Sequence, residues 1–168
     1  MKYLLILIMS IFFIGCISLD DNGDTVITSN VDDWRNEVIY QVLTDRFHDG
    51  DKSNNLNVDV TKPGHYHGGD WQGIIDKMDY LKELGVTAIW ISPVVKNLES
   101  DAGFYSYHGY WTQDFKAVNP HFGNIAKLRE MVRVAHANGI KVILDIVANH
   151  IGQYFIMILM VTTNQMII

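Results

Sequence analysis

Three groups of residues in this chain have the types and spacing to do chemistry. The first is Asp145, Asn149 and His150, which follow the apolar, β-branched run Lys141-Val142-Ile143-Leu144. A carboxylate, an amide carbonyl and an imidazole delivered by a buried strand can bind an ion or sugar hydroxyls, and parallel α/β barrels build their sites at such strand ends. The same residues also suit a satisfied strand-end Asp with ordinary turn residues. The second is Tyr105-Ser106-Tyr107-His108-Gly109-Tyr110-Trp111. Aromatic faces stack on the apolar faces of sugar rings while Tyr and His tips hydrogen-bond to hydroxyls, although such a cluster can equally fold back into a satellite core. The third is Asp49-Gly50-Asp51-Lys52-Ser53-Asn54-Asn55, joined later by Gly68-Gly69-Asp70. Crowded side-chain oxygens in a Gly-containing loop favour a hard cation, Ca²⁺ above all. It is no EF-hand, since Asn54 stands where the sixth-position Gly belongs and Val60 where the twelfth-position Glu belongs. A solvated Asp/Asn/Gly turn has the same composition.

Strands and helices alternate around these groups. Residues 38–42 are a compact β-branched and aromatic run that reads as a buried strand, followed by a polar loop over 49–69. Asp70 offers an N-cap to a helix with Ile74, Ile75, Met78, Leu81 and Leu84 at helical spacing, and Gly85 offers its stop. Residues 86–91 form the second strand, closed by Ser92-Pro93, and a long aromatic-rich loop runs over 94–122. A second helix spans 124–138 with Ile125, Leu128, Val132 and Ala135 on one face and Gly139 at its end. Residues 141–147 form the third strand. Continuous apolar strands separated by helices predict parallel pairing with right-handed crossovers. Neither G-x-G-x-x-G nor G-x-x-x-x-G-K-[ST] occurs, so a nucleotide-binding sheet is disfavoured against a (β/α)8 barrel. Three strands and two helices make only part of a barrel, which needs about 250 residues.

Composition narrows the function classes. The chain has 168 residues, 48% hydrophobic and 19% charged, with a net charge of −6 and no Lys/Arg cluster. That is globular, and it argues against a nucleic-acid surface. The lone Cys16 excludes an intrachain disulfide and argues against a thiol nucleophile, and no G-x-S-x-G occurs. His65, His67, His121 and His136 show no metal-ligand spacing, and Trp34, Trp71 and Trp90 read as core. Residues 1–16 carry a basic start and a short apolar stretch, which reads as a signal peptide of lipoprotein type with Cys16 as the lipidated residue. Phe13 departs from the usual Leu of that motif. Residues 17–36 then read as a polar tether, so the protein is expected to be exported, extracellular or membrane-anchored.

In this order the motifs resemble the α-amylase superfamily, glycoside hydrolase family 13, in particular its cyclodextrin glucanotransferase and bacterial α-amylase branch. Asp145-Ile146-Val147-Ala148-Asn149-His150 matches the signature D-x-x-x-N-H, and residues 38–47 resemble the family's opening strand. Gly68-Gly69-Asp70-Trp71-Gln72-Gly73 resembles its first helix start, and residues 88–93 and 107–111 match as well. The resemblance covers residues 38–150.

It implies that residues 37–152 are the N-terminal part of the catalytic barrel, acting in full length on α-1,4-glucan such as starch or maltodextrin. It implies that His108 and His150 hydrogen-bond the sugar at the cleaved bond, that Tyr110 stacks on it with Trp111 beside, and that Asp145 is a structural anchor. It implies that Asn149 ligates one Ca²⁺, and that Asp49, Asp51, Asn54, Asn55, Gly68 and Asp70 hold a second. The nucleophile and the general acid belong to later strands, so no catalytic residue is expected here. A polar, calcium-binding insert is expected after His150. Residues 153–168 instead form a hydrophobic tail without a charged residue, which reads as a frameshift or truncation product or a short tail of its own. Alternatives to an enzyme segment are a non-catalytic starch-binding surface lipoprotein or a frameshifted product.

Overall fold

The computed structural model describes residues 33–152; the leader with Cys16, nearly all of the tether and the hydrophobic tail lie outside the described residues. The chain divides after Trp34, and every element below belongs to the unit that begins at Arg35.

Strand β1 (Ile39–Val42) is followed by a one-turn helix α1 (Thr44–Phe47), an irregular loop, and helices α2 (Trp71–Asp76) and α3 (Met78–Glu83). Strand β2 (Ala88–Ile91) leads into an excursion holding β3 (Val95–Asn97), β4 (Ser100–Asp101), β5 (Phe104–Tyr105) and β6 (Thr112–Val118). Helix α4 (Ile125–Ala137) then returns the chain to β7 (Lys141–Leu144). The main sheet has the order β1-β2-β7 and both pairings are parallel, with Ile39, Ala88 and Lys141 in one register row. Helical crossovers join the three strands, so this is the expected partial barrel wall, and the described residues do not close it.

Helix ends follow the local chemistry. Asp70 caps α2 by accepting from Gly73 N at 2.6 Å, and Asn124 caps α4 by accepting from Lys127 N at 3.0 Å. Gly85 and Gly139 leave their helices at φ 83° and 75°, which a side chain disfavours. The expected single helix over 70–84 is two, because Lys77 departs from helical geometry at φ −104°, ψ 14°. The core lies on one side of the sheet. Ile89 and Ile91 of β2 pack with Trp71, Ile74, Leu81 and Met131, all of them buried. Ile125 was expected on the inner face of α4 but is exposed, and Met131 takes the inner position with Leu128 and Ala135. Trp71 is core as expected, whereas Trp90 is 38% exposed because it points to the opposite face of β2.

Asp70 does more than cap. Its buried carboxylate accepts from Gly73 N and Gly50 N on Oδ1, and from Asp51 N (2.8 Å) and Asn54 Nδ2 (3.1 Å) on Oδ2. Asp70→Ala strands several of these donors at once, and is expected to destabilise the chain by about 3 kcal/mol. Urea unfolding with excess chelator measures it; a loss below about 1 kcal/mol, the scale of one ordinary hydrogen bond, would contradict this role.

Candidate functional site

Parallel strands put all their C-terminal ends on one side of a sheet, and here that side collects the loops after β1, β2 and β7. Strand β7 stops at Leu144, and Asp145 N still donates to Ile91 O at 3.2 Å. Asp145 therefore sits at the sheet's rim and Asn149 and His150 lie in the loop beyond. The excursion after β2 carries His108, Tyr110 and Trp111 to the same rim.

Tyr110 is where these residues meet. Its hydroxyl donates to Asp145 Oδ2 at 2.7 Å, its backbone N–H donates to His108 Nδ1 at 3.0 Å, and its carbonyl accepts from His150 Nε2 at 3.1 Å. The bond to Asp145, with some burial, pushes the phenol up to about 12, so the hydroxyl stays a donor at any ordinary pH. The His108 and Tyr110 rings lie nearly parallel, 19° apart with centroids 5.8 Å apart, and Trp111 meets His108 edge-on at 4.8 Å. Trp111 is itself held by its backbone, N–H to Asn97 Oδ1 at 2.6 Å. The expected sugar-facing residues and Asp145 thus form one aromatic, hydrogen-bonded cluster. Asn149 is exposed, and its Nδ2 lies 3.3 Å from His150 Nδ1.

The His108 proton follows from this geometry. Because Nδ1 accepts from Tyr110 N, the neutral ring carries its proton on Nε2 and presents it as a donor. Burial, and secondarily the positive charge of Arg46, hold the imidazole below its ordinary value of 6.5.

The loop after β1 gathers oxygen atoms. Asp49 Oδ1, Asn54 Oδ1 and Asn55 Oδ1 are buried without a hydrogen-bond partner. Gly68, at φ 91°, passes close to two of these side chains: a Cβ there would lie 2.8 Å from Asn55 Oδ1 and 3.2 Å from Asp49 Oδ2, the oxygen that accepts from Asn55 Nδ2. Three orphaned acceptors in one loop suit a hard cation, because each oxygen otherwise loses its solvation unrewarded. Asp51 Oδ1 is engaged by Ser53, through its N–H at 3.0 Å and its hydroxyl at 2.6 Å, and Asp70 already carries four donors. Among the described residues no three His, Cys, Asp or Glu side chains group as metal ligands, and the unpaired oxygens of this loop come from one carboxylate and two amides.

Two features escaped the sequence reading. Buried Asp45 accepts from His67 N at 3.0 Å and Gly68 N at 3.3 Å, although nothing in its local sequence marks it as buried. Buried His121 stacks on Tyr66 at 3.6 Å and pairs with Glu99 at 3.0 Å, a structural use of a His with no ligand spacing.

The depressed His108 value gives a pH prediction with a definite sign. Lowering a histidine's folded value favours the neutral ring, so the stability it contributes is present above 6.5 and is lost as pH falls from there. Wild type is expected to lose more stability between pH 7.5 and 5.5 than His108→Gln, by thermal or urea unfolding; equal losses would refute it.

Comparison with known proteins places this geometry. The family model described as alpha amylase, catalytic domain matches residues 41–164. A cyclomaltodextrin glucanotransferase of Thermoanaerobacterium thermosulfurigenes is 43% identical over 164 residues, covering 89% of this chain and 23% of that protein. The crystal structure of an Anoxybacillus alpha-amylase aligns at a TM-score of 0.66 and 48% identity, over 71% of this chain and 25% of the other. An alpha-amylase from Geobacillus thermoleovorans, solved in complex with acarbose, aligns at a TM-score of 0.61 and 47% identity, over 72% of this chain and 25% of the other. The chain spans about a quarter of the length of these relatives. The family match and the fold likeness agree, and the chain belongs to the α-amylase family, glycoside hydrolase family 13, holding part of its (β/α)8 barrel.

Proposed function

We propose that this chain is a segment of an exported α-glucan-active enzyme, acting on starch-type α-1,4 links by hydrolysis or transglycosylation. The observation that carries the reading is Tyr110, gripped at hydroxyl, N–H and carbonyl by Asp145, His108 and His150. A ring so fixed is a pre-ordered stacking surface, and its sugar is met without further loss of side-chain freedom. His108 Nε2–H is the donor to a sugar hydroxyl. His150 joins it when its Nε2–H turns from Tyr110 O to the substrate. Trp111 extends the apolar floor.

Calcium belongs to this reading. Asp49, Asn54 and Asn55 supply the unpaired oxygens, Gly68 its carbonyl, and Asp51 and Asp70 complete the negative charge around it. Bound there, calcium cross-links the loop after β1 to the start of α2. Asn149 is the candidate ligand of a second ion. The leader-like start with Cys16 supports export and a lipid anchor.

Retaining cleavage needs two carboxylates roughly 5–5.5 Å apart, a nucleophile and a general acid/base. In this family's pattern they come from later strands, so the segment supplies sugar contacts and no covalent step. The purified chain is expected to release no reducing sugar from soluble starch; release above a blank would overturn that. It is expected to be retained on insoluble starch, with Trp111→Ala lowering retention severalfold; equal retention of the variant would count against the cradle. Calcium at about 100 times its Kd is expected to add about 2.7 kcal/mol to unfolding stability. That gain should vanish in Asn55→Ala, and a full gain in the variant would remove Asn55 from the site.

A further inference from the structure

Arg46 stands between the oxygen-rich loop and the aromatic cluster, and no role so far accounts for the way it is held. Its Nη2 donates to Pro63 O at 2.7 Å and its Nε lies 3.4 Å from Asp45 Oδ2. Its guanidinium carbon sits 3.8 Å from the centroid of the Tyr107 ring. The side chain is 21% exposed, and Nη1 is buried without a partner. A surface arginine needs none of this. Nη2 and Nε are committed to Pro63 and Asp45, and the guanidinium plane faces the residue that precedes His108.

We propose that Arg46 is a positioning residue of the sugar cradle: clamped by Asp45 and Pro63, it fixes the Tyr107 ring and, through that ring, the His108 imidazole with Nε2–H turned to the substrate. This rests on the reading of His108 as a glucan donor. Tyr107 touches His108 edge-on, 73° between planes at 5.2 Å, so the ring under the guanidinium also bounds the imidazole. The charge acts on the same group, since Arg46 is the one ionic contribution to the lowering of His108, after burial. The other neighbours of His108 are Tyr110 and Trp111, and Asp145 reaches it only through the Tyr110 hydroxyl. A neutral ring matters here because protonation at Nδ1 would replace the acceptor of Tyr110 N–H with a second donor. The clamp also has a geometric reach. Asp45 accepts from Gly68 N as well as pairing with Arg46, so one carboxylate joins the loop after β1 to the cradle.

The test uses the whole chain, with maltohexaose as the probe and the His108 ring followed by NMR from pH 5 to 8.5. Arg46→Gln removes the charge and keeps a planar amide. It is expected to raise the His108 titration midpoint and to weaken maltohexaose binding about fivefold at pH 6 and somewhat less at pH 8. Arg46→Lys keeps the charge and loses the fork and plane. Its His108 midpoint is expected to stay near wild type, while the Tyr107 ring signals shift and binding weakens at both pH values. Wild-type maltohexaose binding with unmoved Tyr107 and His108 ring signals in a folded Arg46→Gln chain would overturn the proposal. Should that variant not fold, wild-type binding and unmoved Tyr107 signals in Arg46→Lys would do the same. A wild-type chain that binds no maltohexaose removes the glucan reading, and the Tyr107 and His108 ring signals then still decide whether Arg46 positions the imidazole.

Discussion

A buried backbone N–H must find an acceptor, and the loop after β1 has little regular structure to provide one. Two carboxylates take that duty. Asp70 receives Gly50, Asp51 and Gly73, and Asp45 receives His67 and Gly68. Both are buried, so each bond forms where the dielectric is low, and an orphaned partner there is expensive. Burial raises the Asp45 carboxyl, with the His67 N–H and the Arg46 charge acting against it, so its partners offset part of what desolvation costs. The loop is thus shaped from beneath by charge rather than by an apolar core. One oxygen each on Asp49, Asn54 and Asn55 is left buried without a partner.

The same economy of backbone groups orders the aromatic cluster. Tyr110 N–H, Tyr110 C=O and Trp111 N–H each bond to a side chain rather than to a ladder partner. Side chains from β3, the loop after β2 and the loop after β7 therefore share one short segment. Each bond contributes about 1 kcal/mol net, so no single one holds the cluster, yet together they leave its rings few alternatives. A stacking surface needs that restriction more than it needs depth, because a sugar face tolerates little tilt.

How much of this the sequence discloses depends on the range of the interaction. The cap at Asp70 and the stops at Gly85 and Gly139 are local, and they were readable to the residue; Asn124, read as the first residue of its helix, is instead its cap. The three parallel strands were readable as apolar runs, though each regular ladder is shorter than its run: the third ends at Leu144, not Val147. The excursion after β2 was not readable as structure. Its ladder β3–β6 shifts register twice, so the alternation that marks a strand is broken, and the hairpin β4–β5 turns on Ala102 and Gly103 at positive φ after only two residues. Asp45 and Arg46 were invisible for another reason: apart from each other, their partners are distant in sequence, His67 and Gly68 for Asp45, Pro63 and the Tyr107 ring for Arg46. The aromatic cluster was legible by residue type, but its hub was not, since nothing in Tyr110 itself says that three partners will converge on it.

The sheet's second face carries the last step. Strand register puts Ile39, Ala88 and Lys141 in one row and Gln41, Trp90 and Ile143 in the next, all on the side away from the helices. Ile39 is 46% exposed and Trp90 38% on that face, whereas Ile89 and Ile91 on the other are fully buried. Parallel sheets are built to be covered on both faces, and a tryptophan in the central strand of a wall has no reason to face water. In a (β/α)8 barrel the cover comes from the interior layers of side chains on the remaining strands. The reading of Trp90 as core is therefore right for a closed barrel and wrong for this wall. One exposed indole separates what the described residues bury among themselves from what the family's full barrel would bury for them.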